Sequence, residues 1–184
     1  MKVCGFTFIR NAERFDFPVV EAITSVLPVC DHFVVAVGNS DDNTREIIEK
    51  ISPEEISVID TVWDENLQKG GAVYAAETDK AFDAVPPEYD WCFYVQGDEV
   101  VHEKYLPGIQ KTMRDNLQKQ EVEGLLLRYK HFYGTFDYVA DSRKWYRNEI
   151  RIIRNDKSIR SYRDAQGFRK NGKKLSVVPV DAEI

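Results

Sequence analysis

The chain has 184 residues, 43% of them hydrophobic and 30% charged, with a formal net charge of -6. That length suits one domain with a sizeable core and leaves little room for two. Its longest apolar runs, such as residues 32–37, are far too short to cross a bilayer, and the N-terminus enters strand-type sequence with no leader pattern. A soluble, cytoplasmic protein without a transmembrane segment is therefore expected.

Cys4, Cys30 and Cys92 are odd in number and widely spaced, which gives neither a disulfide framework nor the spacing of a zinc site; they read as small core residues. The charge is uneven. Residues 143–174 hold 12 Lys and Arg against 3 Asp and Glu, on an otherwise acidic chain. Such a stretch binds a phosphorylated ligand, contacts nucleic acid, or simply solvates exposed strands. The acidic remainder argues against nucleic acid.

In chain order, residues 2–9 read as a strand, and a helix follows from Asp16 with Val20, Ile23, Val26 and Leu27 on one face, ending at Pro28. The continuous apolar run 32–37 fits a strand buried on both faces of a parallel sheet. A turn-rich loop, Gly38 to Thr44, leads into a helix carrying Ile47, Ile48 and Ile51. Residues 56–62 form a third strand. Gly70-Gly71 then opens a long helix that stops at Pro86-Pro87, and residues 91–95 form a fourth strand ending in Gln96-Gly97-Asp98-Glu99. A helix over 104–119 and a strand over 124–129 follow, with Pro107 tolerable in the first turn of that helix. Residues 131–180 change character, with aromatic clusters, short alternating segments and an Asn171-Gly172 hairpin signal that indicate mixed or antiparallel strands. The chain stops at Ile184 in strand-like sequence, so a piece of a longer protein is expected.

Closely spaced glycines do not follow the first strand, which removes a Rossmann dinucleotide site, and neither a Walker sequence nor a Gly-X-Ser-X-Gly elbow is present. Phosphates bound here need another positive charge. A divalent cation held by carboxylate oxygens supplies one. Asp98 is placed for this, at the carboxyl end of a buried strand, behind a flexible Gly97 and beside Glu99; the bland alternative is a helix N-cap or exposed turn.

Three segments in this order and spacing resemble a family 2 glycosyltransferase of the GT-A fold: Phe8-Ile9-Arg10-Asn11, the run from Val34 to Thr44, and Phe93-Tyr94-Val95-Gln96-Gly97-Asp98-Glu99. The resemblance covers roughly the first 110 residues well. It implies an α/β, three-layer GT-A type fold, a Rossmann-like mixed sheet that is mostly parallel with helices on both faces. Residues 1–184 would form a single domain, with 1–100 as the nucleotide-sugar-binding half and 101–184 as the acceptor-side half. It also implies that Arg10, Asn11, Asn39, Ser40, Asp41, Asp42, Lys69, Gly70, Gln96 and Gly97 hold a UDP- or GDP-sugar donor. Asp98 and Glu99 would bind Mn²⁺ or Mg²⁺. Gln96 stands where the family usually has its first acid.

Inverting transfer to a glycan or other hydroxyl acceptor needs a carboxylate to take the hydroxyl proton and a cation to stabilise the departing diphosphate. Asp164 is the candidate base, against a plain salt bridge to Arg163 or Arg169; Glu149 is the alternative. Tyr129, Phe132, Tyr133, Phe136 and Tyr138 serve either acceptor stacking or core packing. Arg151 and Arg154 either face a diphosphate or are solvated. Nucleotidyl transfer is a competing reading, weakened by the missing glycine-rich loop. A noncatalytic nucleotide-sugar or glycan-binding module is another.

Overall fold

Strands that are apolar on both faces require a layer on each side of the sheet. The computed structural model, which describes residues 1–67, 69–140 and 142–184, supplies both. In chain order it contains β1 (Val3–Ile9), α1 (Val19–Val26), β2 (His32–Gly38), α2 (Thr44–Glu49), β3 (Ile56–Thr61), α3 (Ala72–Asp83), β4 (Trp91–Tyr94), α4 (Leu106–Asp115) and β5 (Gly124–Arg128). After these come β6 (Phe132–Tyr133), β7 (Thr135–Val139), β8 (Asn148–Arg154), β9 (Ile159–Tyr162), β10 (Gly167–Lys170), β11 (Lys173–Lys174) and β12 (Val177–Glu183).

Seven strands form the main sheet in the order β12-β5-β8-β4-β1-β2-β3. β1 pairs in parallel with β2 and β4, β2 with β3, and β5 with β12; only β8 runs antiparallel to its neighbours β4 and β5. The mostly parallel α/β sheet expected from the sequence is therefore present.

Alternation along the strands divides the core. Val3 and Ile9 of β1, Phe33, Val35 and Val37 of β2, and Trp91 and Phe93 of β4 pack with α1, α2 and α4. Cys4 and Phe6, Val34 and Ala36, and Cys92 and Tyr94 face the other way, against Ala81 and Phe82 of α3 and Phe168 of the small sheet β11-β10-β9. Each fully buried large side chain contributes roughly 1.5–3 kcal/mol relative to exposure. The cysteines are free, and burial pushes the Cys4 thiol up to about 12, which fits an inert packing role.

α4 ends at Asp115, short of the expected 119, and side chains of β4 and β8 take up carbonyls in its last turn and just beyond it. The Trp91 indole donates to Met113 O, and the Arg154 guanidinium donates to the carbonyls of Asn116, Lys119 and Val122 while stacking 3.8 Å over the Trp91 ring. Arg154 is thus neither diphosphate-facing nor merely solvated. The Asn171-Gly172 hairpin joins β10 to β11, with φ of 49° and 76°. Among the described residues no helix is long and apolar enough to cross a membrane.

Candidate functional site at the carboxyl ends of β1, β3 and β4

β1 lies between β2, which follows it in the chain, and β4, reached only after the chain has crossed back from β3. This reversal opens a crevice beyond the carboxyl ends of β1 and β4, the place where open α/β sheets bind ligands. A cavity of about 760 Å³ occupies it, walled by Arg10 and Asn11 after β1, Trp63 after β3, Gln96, Gly97 and Asp98 after β4, and Asp164 from the β9–β10 turn.

The first wall is two loops tied together. Asn11 adopts a left-handed backbone (φ 53°), which Asn tolerates better than most residues. Its Oδ1 accepts the Asp41 N–H at 2.9 Å and its own N–H donates to Ser40 Oγ at 3.0 Å. Further along, the Ala12 N–H donates to Thr44 Oγ1, and the Arg14 N–H to Asp42 Oδ2. Above them Phe8, Trp63 and Tyr74 form a ring cluster with centroids 5.8–6.0 Å apart, and the Arg10 guanidinium lies 5.6 Å from the Trp63 ring. Arg10 Nε and Trp63 Nε1 are buried without a hydrogen-bond partner among the described residues. Unmet donors of this kind cost about 1–3 kcal/mol each, so a polar ligand that reaches them gains accordingly.

The second wall rests on a buried ion pair. β5 and β8 change register so that Ile152 faces Leu125 and Ile150 faces Leu126, leaving Arg151 as the extra residue of a bulge. Bulges re-aim a side chain. Here the fully buried guanidinium is turned onto Glu99, with Nη2–Oε1 at 2.6 Å and Nε–Oε2 at 2.9 Å, between the rings of Tyr94 and Tyr129. Burial opposes the Arg151 charge, and the Glu99 carboxylate outweighs it, so the guanidinium pKa lies above its ordinary value. Glu99 Oε2 also accepts the Gln96 N–H at 2.9 Å, and Arg151 Nη1 donates to Gln166 O at 3.2 Å. Gln96 Nε2 reaches Ala165 O at 3.3 Å. The pair therefore fastens the 96–99 loop to the 163–166 turn, and with it sets Asp98 relative to Asp164.

Asp98 itself reaches solvent at the cleft. Burial by the surrounding walls, followed by the charge of Glu99 behind it, raises its carboxyl above the ordinary carboxylate range. A nearby cation would relieve this. Two glycines make the arrangement possible. A side chain at Gly97 would meet Ile9 Cδ1 at 2.8 Å, and one at Gly71 (φ 72°) would meet Asp164 Cβ at 2.6 Å. Gly71 is therefore where the entry to α3 presses against the Asp164 turn.

No protein-family model matches the chain, and no curated protein matches it. Among solved structures, Staphylococcus aureus TarS superimposes with a TM-score of 0.55 at 20% identity, over 84% of this chain and 28% of TarS. TarS 1–349 in complex with UDP gives 0.53 at 20% identity, over 73% of this chain and 37% of that one. The fold is GT-A glycosyltransferase-like. Mycobacterium tuberculosis glucosyl-3-phosphoglycerate synthase in complex with Mn²⁺ and UDP-glucose gives 0.46 at 14% identity, over 70% and 43% of the two chains. The chain thus spans well under two thirds of the TarS chains it matches.

The GT-A-like sheet gathers Arg10, Asn11, Gln96, Gly97, Asp98 and Asp164 on one cavity. Ser40 and Asp42 stand behind the wall: Ser40 Oγ is engaged by Asn11 N–H and Gly38 O, and Asp42 Oδ1 accepts from the N–H and hydroxyl of Thr44 at the start of α2. Asp41 pairs with Arg14, and Asn39 Oδ1 accepts the Trp63 N–H. Lys69 and Gly70 are exposed on the segment before α3 and do not line the cavity, whereas the next residue, Gly71, touches the Asp164 turn.

Two expectations are corrected. Glu99 is not a metal ligand facing the cleft, because both its oxygens are bound inside the protein by Arg151 and Gln96 N–H. Glu149 does not share the cleft with Asp98; it lies on a separate cavity, 3.8 Å from Arg151 Nη1. Burial, with added repulsion from Glu99 and Asp164, raises its carboxyl to about 7. Asp164 makes no ion pair with Arg163 or Arg169 among the described residues, whose guanidinium groups lie on the Tyr162 ring instead. Phe132, Tyr133, Phe136 and Tyr138 are exposed, which removes the core-packing reading for them. Trp63 and Tyr74 were not anticipated as cleft residues. The usable signal was Trp63's position two residues beyond β3, at the same carboxyl edge as Asn11 and Asp98.

Proposed function

We propose that this chain carries the donor-binding part of a glycosyltransferase that moves a sugar from a nucleotide sugar to a hydroxyl acceptor with inversion, assisted by a divalent cation. The observation that carries the reading is the convergence of Asn11, Asp98 and Asp164 on one cavity of about 760 Å³ at the sheet's switch point. The nucleobase of a UDP or GDP donor would lie against Phe8, Trp63 and Tyr74, with the ribose near Asn11 and Arg10 above the diphosphate. Residues 1–100 would then serve the donor and 101–184 the acceptor, in a cytoplasmic protein.

The residues fit a cation of one kind only. Among the described residues no cluster of three or more His, Cys, Asp or Glu surrounds a metal-sized point. Mg²⁺ and Mn²⁺ sites built on nucleotides need only one or two carboxylates, since phosphate oxygens and water complete the shell. Asp98 fits that role and an all-protein cage does not. When bound, the cation would offset the charge that builds on the departing diphosphate. Asp164 takes the proton of the acceptor hydroxyl as the new bond to the anomeric carbon forms and the bond to the diphosphate oxygen breaks. Gln96, Glu99 and Arg151 hold the two acids in register.

Gln96 favours one second reading. Its amide is tied to Tyr94 and Ala165 where the resembled family has an acid, which suits a noncatalytic nucleotide-sugar-binding module. The test is release of nucleoside diphosphate from UDP-glucose, UDP-N-acetylglucosamine and GDP-mannose with Mn²⁺ and candidate acceptors, using the protein at its natural length. Release that falls at least a hundredfold in both Asp98→Ala and Asp164→Ala supports the enzyme. Donor binding without release supports the module, and neither binding nor release rejects both.

A further inference from the structure

The small sheet β11-β10-β9 places like charges side by side. Arg169 of β10 stands directly opposite Arg160 of β9 and Lys174 of β11, which puts three cations in one cross-strand row on one face. Directly opposed like charges destabilise a sheet. Arg160 is relieved by Asp83, at 2.6 Å. Arg169 and Lys174 make no ion pair or side-chain hydrogen bond among the described residues, and neither does Arg163. Arg163 and Arg169 both lie against the Tyr162 ring, at 5.1 and 4.7 Å from its centroid, and neither has a counter-ion among the described residues.

These residues are not scattered over the surface. Tyr162, Arg163, Arg169 and Lys174 line a cavity of about 420 Å³ whose floor includes Gly167 and Glu149. The 163–166 turn separates it from the donor cleft: Asp164 faces one cavity and Arg163 the other. Among the described residues Glu149 is the acid lining this cavity, and burial raises its carboxyl to about 7, so near neutrality it cancels only part of the excess. Planar guanidinium forks suit phosphate oxygens.

We infer that the Arg163-Arg169-Lys174 cavity binds a phosphate group, and that the group belongs to an acceptor carrying a phosphate ester. The second half of this statement rests on the glycosyl-transfer reading; the anion site does not. A phosphate seated here anchors the acceptor on the same turn that carries Asp164, and so favours phosphorylated over neutral hydroxyl compounds.

The experiment is a titration of the uniformly ¹⁵N-labelled protein with inorganic phosphate and with glycerol 3-phosphate, at ionic strength held constant with chloride. The inference predicts saturable amide shifts at Gly167 and Phe168, with affinity at least tenfold weaker in Arg169→Gln and in Lys174→Gln. A separate titration with UDP and Mn²⁺ reports on Asn11 and Gly97. Phosphate shifts at Gly167 without any UDP response keep the anion site and remove its link to an acceptor. A UDP response with no saturable phosphate shift at Gly167 overturns the site and leaves the donor reading standing. Shifts that persist unchanged in both variants also overturn it.

Discussion

Replacing Arg151 with Met removes the cation of a pair that has no access to water and leaves the Glu99 carboxylate in the interior with the Gln96 N–H. The native guanidinium makes charge-assisted contacts to both Glu99 oxygens and also donates to the carbonyls of Ile150 and Gln166. Breaking a buried pair from one side costs about 3–5 kcal/mol, because the surviving charge is uncompensated. For a chain of this size that is a drop in Tm on the order of 10 °C. The double variant Glu99→Gln/Arg151→Met removes both charges and should recover part of the loss. Urea denaturation of the wild type, Arg151→Met, Glu99→Gln and the double variant closes the cycle, and the expected coupling between the two positions exceeds about 1 kcal/mol. Single costs below about 1 kcal/mol, or costs that simply add, would refute the claim that this pair fastens the 96–99 loop to the 163–166 turn.

Gly71→Ala forces a side chain into a left-handed position and onto Asp164, so a loss of about 1–3 kcal/mol is expected, with displaced amide shifts at Asp164 and Ala165 as the local signature. Glu149 holds its proton more tightly folded than unfolded, since its carboxyl is raised from 4.5 to about 7. Stability from this group is therefore complete below 4.5 and is lost as pH rises through about 7, by about 3 kcal/mol. Glu149→Gln should flatten that decline in a series of thermal melts between pH 4.5 and 8, and an unchanged slope would contradict the assignment. Asn11→Ala removes the acceptor of the Asp41 N–H and places Ala at positive φ; a loss of about 1–2 kcal/mol is expected in denaturant melts, together with weaker nucleotide binding by calorimetry.

The parallel half of the fold was legible because its strands are apolar on both faces, a pattern that solvent-facing strands do not show. Residues 32–37 and 91–95 are the clearest cases, and both form interior strands of the sheet. The acid after β4 was legible too, since a polar loop following a buried strand marks the ligand edge of such a sheet. Glu99 was misassigned because adjacency in sequence says nothing about which of two neighbouring acids turns inward. Its partner is Arg151, 52 residues away, and no local pattern links them. One clue was present: Arg151 sits between Ile150 and Ile152, inside an apolar run where a charge survives only with a partner. The bulge that turns it toward Glu99 depends on β4, β5 and β8 coming together, which single-sequence spacing does not specify. Trp63 is not marked in the sequence for a similar reason, as its place on the cleft depends on β3 lying beyond β2, two strands from β1 and three from β4.

The most direct test of the central claim is calorimetric titration of UDP into the protein with and without Mn²⁺, repeated with Asp98→Ala. Saturable binding that requires Mn²⁺ and is lost in the variant is the predicted result. Binding of equal strength without the cation, or undiminished in the variant, would show that the acid after β4 does not hold a cation against a donor's phosphates.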